Sequence, residues 1–317
     1  MVPGPTATHP RLAALVDRAR QQAAGRSVPR VGLVYPCDAL ALDAAQRIAE
    51  AGIALPVMIG PRALIESAAE TAQVDSRGFE VIDAGPAAAD SATCATALVR
   101  SGALAALMKG SLHTDALMSA VVHKSTGLRS ATRISHAFLF DLPRYHKLLA
   151  LADCVVNIAP DLKTKHDILG NAVRLLQALG IGQPKVAIVT AVETVNTAIP
   201  ATLDAQALVQ AARAGAWPGA TVEGPFGFDN AFSAEAARIK KMDSQVAGDA
   251  DLMLMPDLNA GNMLYKSFNY VGGGDCAGLV LGATVPIVLT SRADSVQSRI
   301  ASVALAVLFA QGQAQTR

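Results

Sequence analysis

The sequence predicts an α/β fold, and three features of it do so. Seven short runs, residues 31–35, 56–59, 104–108, 154–158, 186–189, 252–255 and 285–289, are apolar throughout rather than alternating, as strands covered on both faces of a parallel sheet are. The stretches between them are longer, rich in Ala and apolar at helical spacing, which gives the strand-helix-strand rhythm of crossover units. The runs also end in short polar segments, and in such sheets the carboxyl ends of strands are where loops and helix N-termini meet ligands.

Taken in order, residues 31–35 exit into Pro36-Cys37-Asp38, and 104–108 into Lys109-Gly110-Ser111-Leu112-His113-Thr114. Both exits turn into helices. Run 186–189 leaves through Thr190-Ala191-Val192-Glu193, and 252–255 through Pro256 to Asn262. The segment from Gly127 to His136 is crowded with hydroxyls and carries Arg129 and Arg133 ahead of apolar residues 137–140. Gly272 to Gly274 suit a tight turn before a further apolar stretch. The last run, 285–289, breaks at Thr290-Ser291-Arg292-Ala293-Asp294-Ser295 before a long helix whose apolar residues 300–310 must bury against the chain's own sheet or a partner. A strand that delivers Ser and Arg to a helix N-terminus makes an anion site, because unpaired N–H groups, the helix dipole and a guanidinium share one small volume. The plainer alternative is that Thr290 or Ser291 only caps the helix and Arg292 is solvated.

Composition sets the bounds. The chain has 317 residues, 51% hydrophobic and 17% charged, enough for one large or two medium domains. A net charge of +1 with both signs interspersed leaves no footprint for nucleic acid or an acidic membrane, and 4% aromatic content argues against a base-stacking platform. A small molecule is the expected partner. No apolar run approaches the roughly 18 residues of a membrane span, and Met1 to Arg11 has Pro, Gly and Thr where a signal peptide needs an apolar core, so a cytoplasmic protein is expected. Cys37, Cys94, Cys154 and Cys276 lie far apart without a C-x-x-C or Cys/His pairing and read as packing residues. Gly272 to Ala277 fits G-x-G-x-x-A in form, but no buried strand precedes it and no helix follows. Hydrolase-elbow, zincin and P-loop patterns do not occur. Of the six histidines, only His136 sits inside a polar cluster.

Four segments carry a family resemblance: Glu223 to Ala231, Val246 to Asp251, Pro256 to Lys266, and the Ser291-Arg292 turn. Together they resemble the phosphate acetyl/butyryltransferase family, most clearly from about Leu104 onward, and the Ser-Arg-Ala-Asp-Ser form of residues 291–295 is similar to its butyryl branch. The resemblance implies an acyltransferase that moves an acetyl or butyryl group reversibly between coenzyme A and inorganic phosphate, by direct attack of the thiol or thiolate on acyl phosphate in a ternary complex. It implies no metal and no prosthetic group, coenzyme A being a substrate, and a homodimer. The implied body has two α/β/α lobes with an interdomain cleft, similar to the isocitrate and isopropylmalate dehydrogenases, residues 1–133 and 283–317 forming one lobe and 134–282 the other. By resemblance Ser291 and Arg292 hold phosphate and the developing oxyanion. Ser135, Thr132, Arg133, Lys266 and Asn262 bind acyl phosphate or line its site with His136, and Lys109, Gly110 and Thr114 bind coenzyme A. One departure stands out. The acetyl branch carries an Asp seven residues after the Ser, taken as the base for the thiol, and here that position is Ser298. Asp294 and His136 are the remaining candidates for the base. Two rival readings stay open: a metal- and NAD-dependent hydroxyacid dehydrogenase of related fold, and a non-catalytic acyl-CoA or acyl-phosphate sensor.

Overall fold

The computed structural model describes residues 9–25, 27–289 and 294–315. In chain order the elements are α1 (Pro10–Ala24), β1 (Arg30–Val34), α2 (Ala39–Glu50), β2 (Leu55–Gly60), α3 (Arg62–Ala72), a single 3-10 turn (Ser76–Gly78), β3 (Glu80–Asp83), α4 (Ala88–Arg100), β4 (Ala106–Lys109) and α5 (Thr114–Val121). Then follow β5 (Ser135–Asp141), β6 (Leu149–Ala152), α6 (Leu162–Ala178), β7 (Lys185–Val189), α7 (Pro200–Arg213), β8 (Thr221–Phe226), α8 (Phe228–Phe232) and α9 (Ala234–Ile239). The chain closes with β9 (Leu252–Leu254), α10 (Leu258–Tyr270), β10 (Asp275–Leu281), β11 (Ile287–Val288) and α11 (Val296–Gln315). No described helix is long and apolar enough to cross a membrane.

Two compact units form. One takes Leu12–Thr132 and the chain from Ala277 onward; the other takes Arg133–Cys276 together with the chain up to Arg11. The return boundary therefore lies at 276/277, not near 283, and the start of the chain is divided. Arg11 goes with the second unit because its backbone N–H and guanidinium both donate to the buried Asp141 carboxylate, at 2.7 and 2.6 Å.

In the first unit the strand order is β3-β2-β1-β4-β11-β10. All its pairings are parallel except the last, where β10 runs antiparallel to β11. Val31, Leu33 and Val34 of β1 and Leu107 and Met108 of β4 are buried, as expected of central strands with both faces covered. Residues 301–309 of α11 are buried all round the helix, and α11 packs on α2, β4 and β11. A helix apolar on every side is a core helix, so its own unit accounts for that burial.

In the second unit the order is β5-β6-β9-β7-β8. Strands β6, β9, β7 and β8 are parallel, while β5 runs antiparallel to β6. The sheets are thus mixed where an all-parallel one was expected. Run 154–158 is also not a strand: β6 ends at Ala152, and the Asp153 carboxylate accepts the Val155 and Val156 N–H groups at 2.8 and 3.0 Å. A side chain that captures its own backbone two and three residues on turns the chain and competes with the ladder. Run 285–289 contributes only the two-residue β11. The polar edge strand β3 and β8, which carries Gly224-Pro225, lack the continuous apolar signal. Gly273, at φ 63°, makes the turn between α10 and β10. All four cysteines are free thiols, with Cys154 and Cys276 buried.

Candidate active site

At the carboxyl edge of the first unit, two strand exits are stitched together. β1 leaves through Tyr35, which sits in the left-handed region at φ 55°, and reaches Asp38, whose carboxylate accepts the Ala41 N–H at 2.8 Å and caps α2. β4 leaves through Lys109 to Thr114 into α5. The N–H and the hydroxyl of Ser111 both donate to the Tyr35 carbonyl, at 2.9 and 2.8 Å, and Cys37 N–H donates to Ser111 Oγ at 3.2 Å. A Cβ on Gly110 would come within 2.6 Å of the Val34 and Tyr35 carbonyl oxygens, so only glycine lets the exits approach this closely.

These exits wall a cavity of about 220 Å³ lined by Lys109, Gly110 and Thr114 with Asp38, His113 and Arg299. The three residues expected to act together are therefore gathered. Lys109 Nζ donates to the Gly110 and Leu112 carbonyls, at 3.1 and 3.3 Å. Arg299, buried in the first turns of α11, points Nε toward the Asp294 carbonyl at 3.4 Å. Sequence reasoning missed Arg299 and assigned no role to His113. The available signal was that Arg299 is the sole charged residue between Val296 and Gln315. Burial, reinforced by Asp38, pushes the Cys37 thiol up to about 11, which keeps it protonated and unreactive.

Ser291 and Arg292 lie outside the described residues. Asp294 is half-buried just ahead of α11. Ser298, at the position where the resemblance places an Asp, is buried; its N–H donates to the Ser295 cap at 2.9 Å.

The second unit has its own cluster at the carboxyl edge of β6. Because β5 runs antiparallel to β6, its first residues, Ser135 and His136, fall at that same edge. Asn171 of α6 donates to the Ser135 hydroxyl at 2.8 Å and the Arg133 carbonyl at 2.9 Å. The centre is Asp153, 3% exposed. It accepts from His136 N–H at 3.2 Å and Asn157 Nδ2 at 2.6 Å, besides Val155 and Val156. The His136 ring lies 4.3 Å from Phe138, centroid to centroid, and its Nδ1 is buried with no hydrogen-bond partner among the described residues. Burial, opposed by Asp153, lowers its pKa to about 4. The ring is neutral at pH 7, but a base of that strength takes a proton poorly from a thiol of pKa about 8.5.

Asp257 caps α10 through the Ala260 N–H at 3.1 Å. Gly261 lies so close that a Cβ would reach 2.5 Å from the Asp153 carbonyl oxygen, and Asn262 donates to the Cys154 carbonyl at 3.2 Å. Asn262 thus belongs to the Asp153 turn, whereas Lys266 stands exposed farther along the helix. Arg133 N–H donates to Asp167 at 3.0 Å. Thr132 falls in the first unit, where its N–H donates to Ser130 Oγ at 3.2 Å.

The other two resemblance segments are structural. Gly248 N–H donates to the Asn230 carbonyl at 2.9 Å, locking residues 246–251 to 223–231. Lys185, Lys147 and His146 lie 2.5, 2.9 and 2.8 Å from Asp249, and Lys147 is 2.7 Å from Asp251. Desolvation works to raise the Asp249 carboxyl, yet these hydrogen bonds hold it well below the usual carboxylate range. This cluster sits where β7 and β9 begin, at the edge opposite His136.

Residues 84–307 match the family described as phosphate acetyl/butaryl transferase. The chain belongs to this family. A phosphate acetyltransferase of Rhizobium meliloti is 48% identical over 91% of both chains. A phosphate butyryltransferase of Clostridium acetobutylicum is 36% identical over 90% of this chain and 94% of the relative. Butyryl-named relatives align at 36% and 45% identity, so the expected leaning toward the butyryl branch gives way to a slightly nearer acetyl-named one. Among solved structures, a branched-chain phosphotransacylase from Enterococcus faecalis V583 superposes with a TM-score of 0.79 at 28% identity, over 89% of this chain and 99% of that one. A 4-hydroxythreonine-4-phosphate dehydrogenase from Klebsiella pneumoniae shares the α/β fold at a TM-score of 0.57 and 15% identity, over 90% and 100%.

Proposed function

We propose that this member of the family transfers an acetyl or butyryl group reversibly between coenzyme A and inorganic phosphate, by direct attack within a ternary complex. The thiolate sulfur of coenzyme A bonds to the carbonyl carbon of acyl phosphate. The bond from that carbon to the bridging oxygen breaks, and inorganic phosphate leaves with its electron pair. The thiol's proton goes to a base or to water. Both substrates are anionic and an oxyanion develops at the carbonyl, so the reaction calls for cations and N–H donors held in place.

The observation that carries this reading is the cation-lined cavity at the β1 and β4 exits, in a chain whose family is set by residues 84–307. Lys109, Gly110 and Thr114 take part of coenzyme A. Ser291 and Arg292 hold phosphate and the oxyanion by resemblance, with Ser135, Thr132, Arg133, Asn262 and Lys266 as the further residues the resemblance implies. Asp294 and His136 are the two candidate bases, and a His136 lowered to about 4 is no stronger a base than an ordinary carboxylate. A cytoplasmic homodimer is the assembly this reading carries, checked by light scattering and cell fractionation.

The deciding experiment measures phosphate-dependent release of coenzyme A from an acyl-CoA series running from acetyl to octanoyl. Release that needs phosphate and peaks at short chains is expected; binding without release overturns the reading. Arg292→Ala is expected to lower turnover about a hundredfold, in the range of lost oxyanion donors. Asp294→Asn should lower it comparably only if Asp294 is the base.

A further inference from the structure

We propose that Asp167 and Asn171 of α6 are positioning residues for Arg133: they fix its backbone from both sides, so that its guanidinium is presented at the start of β5. The inference deepens the acyltransferase reading, on which it rests for the anion that Arg133 meets.

Asp167, Asn171 and Arg174 follow one another at helical spacing along a single face of α6. That face meets the chain where it enters β5. The Arg133 N–H donates to the Asp167 carboxylate at 3.0 Å, and the Arg133 carbonyl accepts from Asn171 Nδ2 at 2.9 Å. The same Nδ2 donates to the Ser135 hydroxyl at 2.8 Å. The orientation of the Asn171 amide follows from its partners. A carbonyl can only accept, so the atom facing Arg133 is the nitrogen; a guanidinium can only donate, so the atom facing Arg174 is the oxygen. Ser135 and His136, the next members of the cluster, are each 1% exposed. Arg133 differs, because its side chain is exposed. Among the described residues its guanidinium is in no ion pair, and its charge reaches the Asp161 carboxyl, at the cap of α6, from beyond ion-pair distance. A backbone tied at both its N–H and its carbonyl beside an exposed cation is preorganised: an anion can bind without first ordering the chain that carries the charge. The planar guanidinium then meets phosphoryl or carboxylate oxygens in pairs.

Two substitutions at Asp167 separate its hydrogen bond from its charge. Asp167→Ala removes both, whereas Asp167→Asn removes the charge and keeps an oxygen for the Arg133 N–H. Kd for inorganic phosphate is read by calorimetry in wild type, both variants, Arg133→Ala and the double variant Arg133→Ala/Asp167→Ala, with urea denaturation of each. Arg133→Ala is expected to weaken phosphate about tenfold and Asp167→Ala about fivefold, the scale of hydrogen bonds to charged groups. Asp167→Asn should stay within about twofold of wild type. In the double variant the Asp167 substitution should add nothing to the loss from Arg133→Ala, because residues acting through one contact are not additive. In turnover, KM for phosphate should rise with Kd while kcat changes by less than about twofold. An anchor that serves only the fold would lower the denaturation midpoint and leave Kd unchanged, and that result overturns the proposal. So does an Asp167→Asn protein as weak as Asp167→Ala, or an Arg133→Ala protein that binds phosphate as wild type does. Should Asp167→Ala fail to fold, Asp167→Glu, which keeps the charge and displaces the acceptor by one methylene, replaces it under the same expectations. The titrations need no turnover, so a wild type that binds phosphate yet releases no coenzyme A would defeat the acyltransferase reading while the Kd series still decides the role of Asp167.

Discussion

The two carboxyl edges of this chain solve opposite problems with the same kind of sheet. In the first unit the exits of β1 and β4 use backbone and hydroxyl bonds to hold a gap open, and cationic side chains line it. In the second unit the exit of β6 closes on a buried carboxylate, and Asp153 fills its acceptor capacity with four donors from residues 136–157. One edge lines a gap with cationic side chains; the other satisfies its own carboxylate with hydrogen bonds. Residues that look alike in sequence, a Ser or a His beside a strand end, therefore differ in what remains for a substrate.

The largest stability effects should fall on the self-satisfied edge. Asp153→Ala strips the acceptor from the buried His136 N–H and from three part-buried donors, the Val155 and Val156 N–H groups and the Asn157 amide, and about 4 kcal/mol of lost stability is expected, since each orphaned donor costs about 1–3 kcal/mol. Urea denaturation measures it. Gly110→Ala, which drives a Cβ into two backbone carbonyls, should cost somewhat less, about 3 kcal/mol, but should abolish turnover by shifting the cavity wall. A smaller cost for Asp153→Ala than for Gly110→Ala would reverse the comparison.

Acid sensitivity sharpens the same contrast. Burial lowers His136 from about 6.5 to about 4, so the unfolded chain binds the proton more readily than the native one. Stability then falls as pH drops from about 6.5 to about 4, by up to about 3 kcal/mol. His136→Phe should remove that part of the slope, read as the difference in denaturation midpoint between pH 7 and pH 5. A slope unchanged in the variant would place the acid sensitivity elsewhere.

Much of the first unit was legible because β1, β2 and β4 are apolar on both faces and need no long-range partner to be recognised. The strand read at 154–158 was misplaced by a local rival to the ladder: the Asp153 carboxylate folds those residues into a turn, and apolar content alone cannot reveal it. Strand β8 was hidden by Gly224-Pro225, and the antiparallel pairing of β5 depends on contacts made after folding. Among the site residues, Lys109, Gly110 and Thr114 are neighbours in sequence and converge through one exit. Arg299 reaches the same cavity from a helix nearly two hundred residues away, a distance only the fold closes. The segments around Gly248 and Asn230 identified the family while serving the scaffold, because interlocked backbone constrains sequence as firmly as chemistry does.

The smallest effect is expected at Lys266, and it tests how far resemblance carries. The side chain is exposed on α10, so Lys266→Ala should change stability by no more than about 0.5 kcal/mol. A solvated ammonium still attracts an anionic substrate, but water and salt screen it beyond about 10 Å at 0.1 M. If Lys266 meets acyl phosphate as the resemblance implies, KM for acyl phosphate should rise a few-fold in the variant at low salt. The difference from wild type should shrink as salt is added, while a contact made in a dry pocket would persist. Equal KM values at low salt would remove Lys266 from the site.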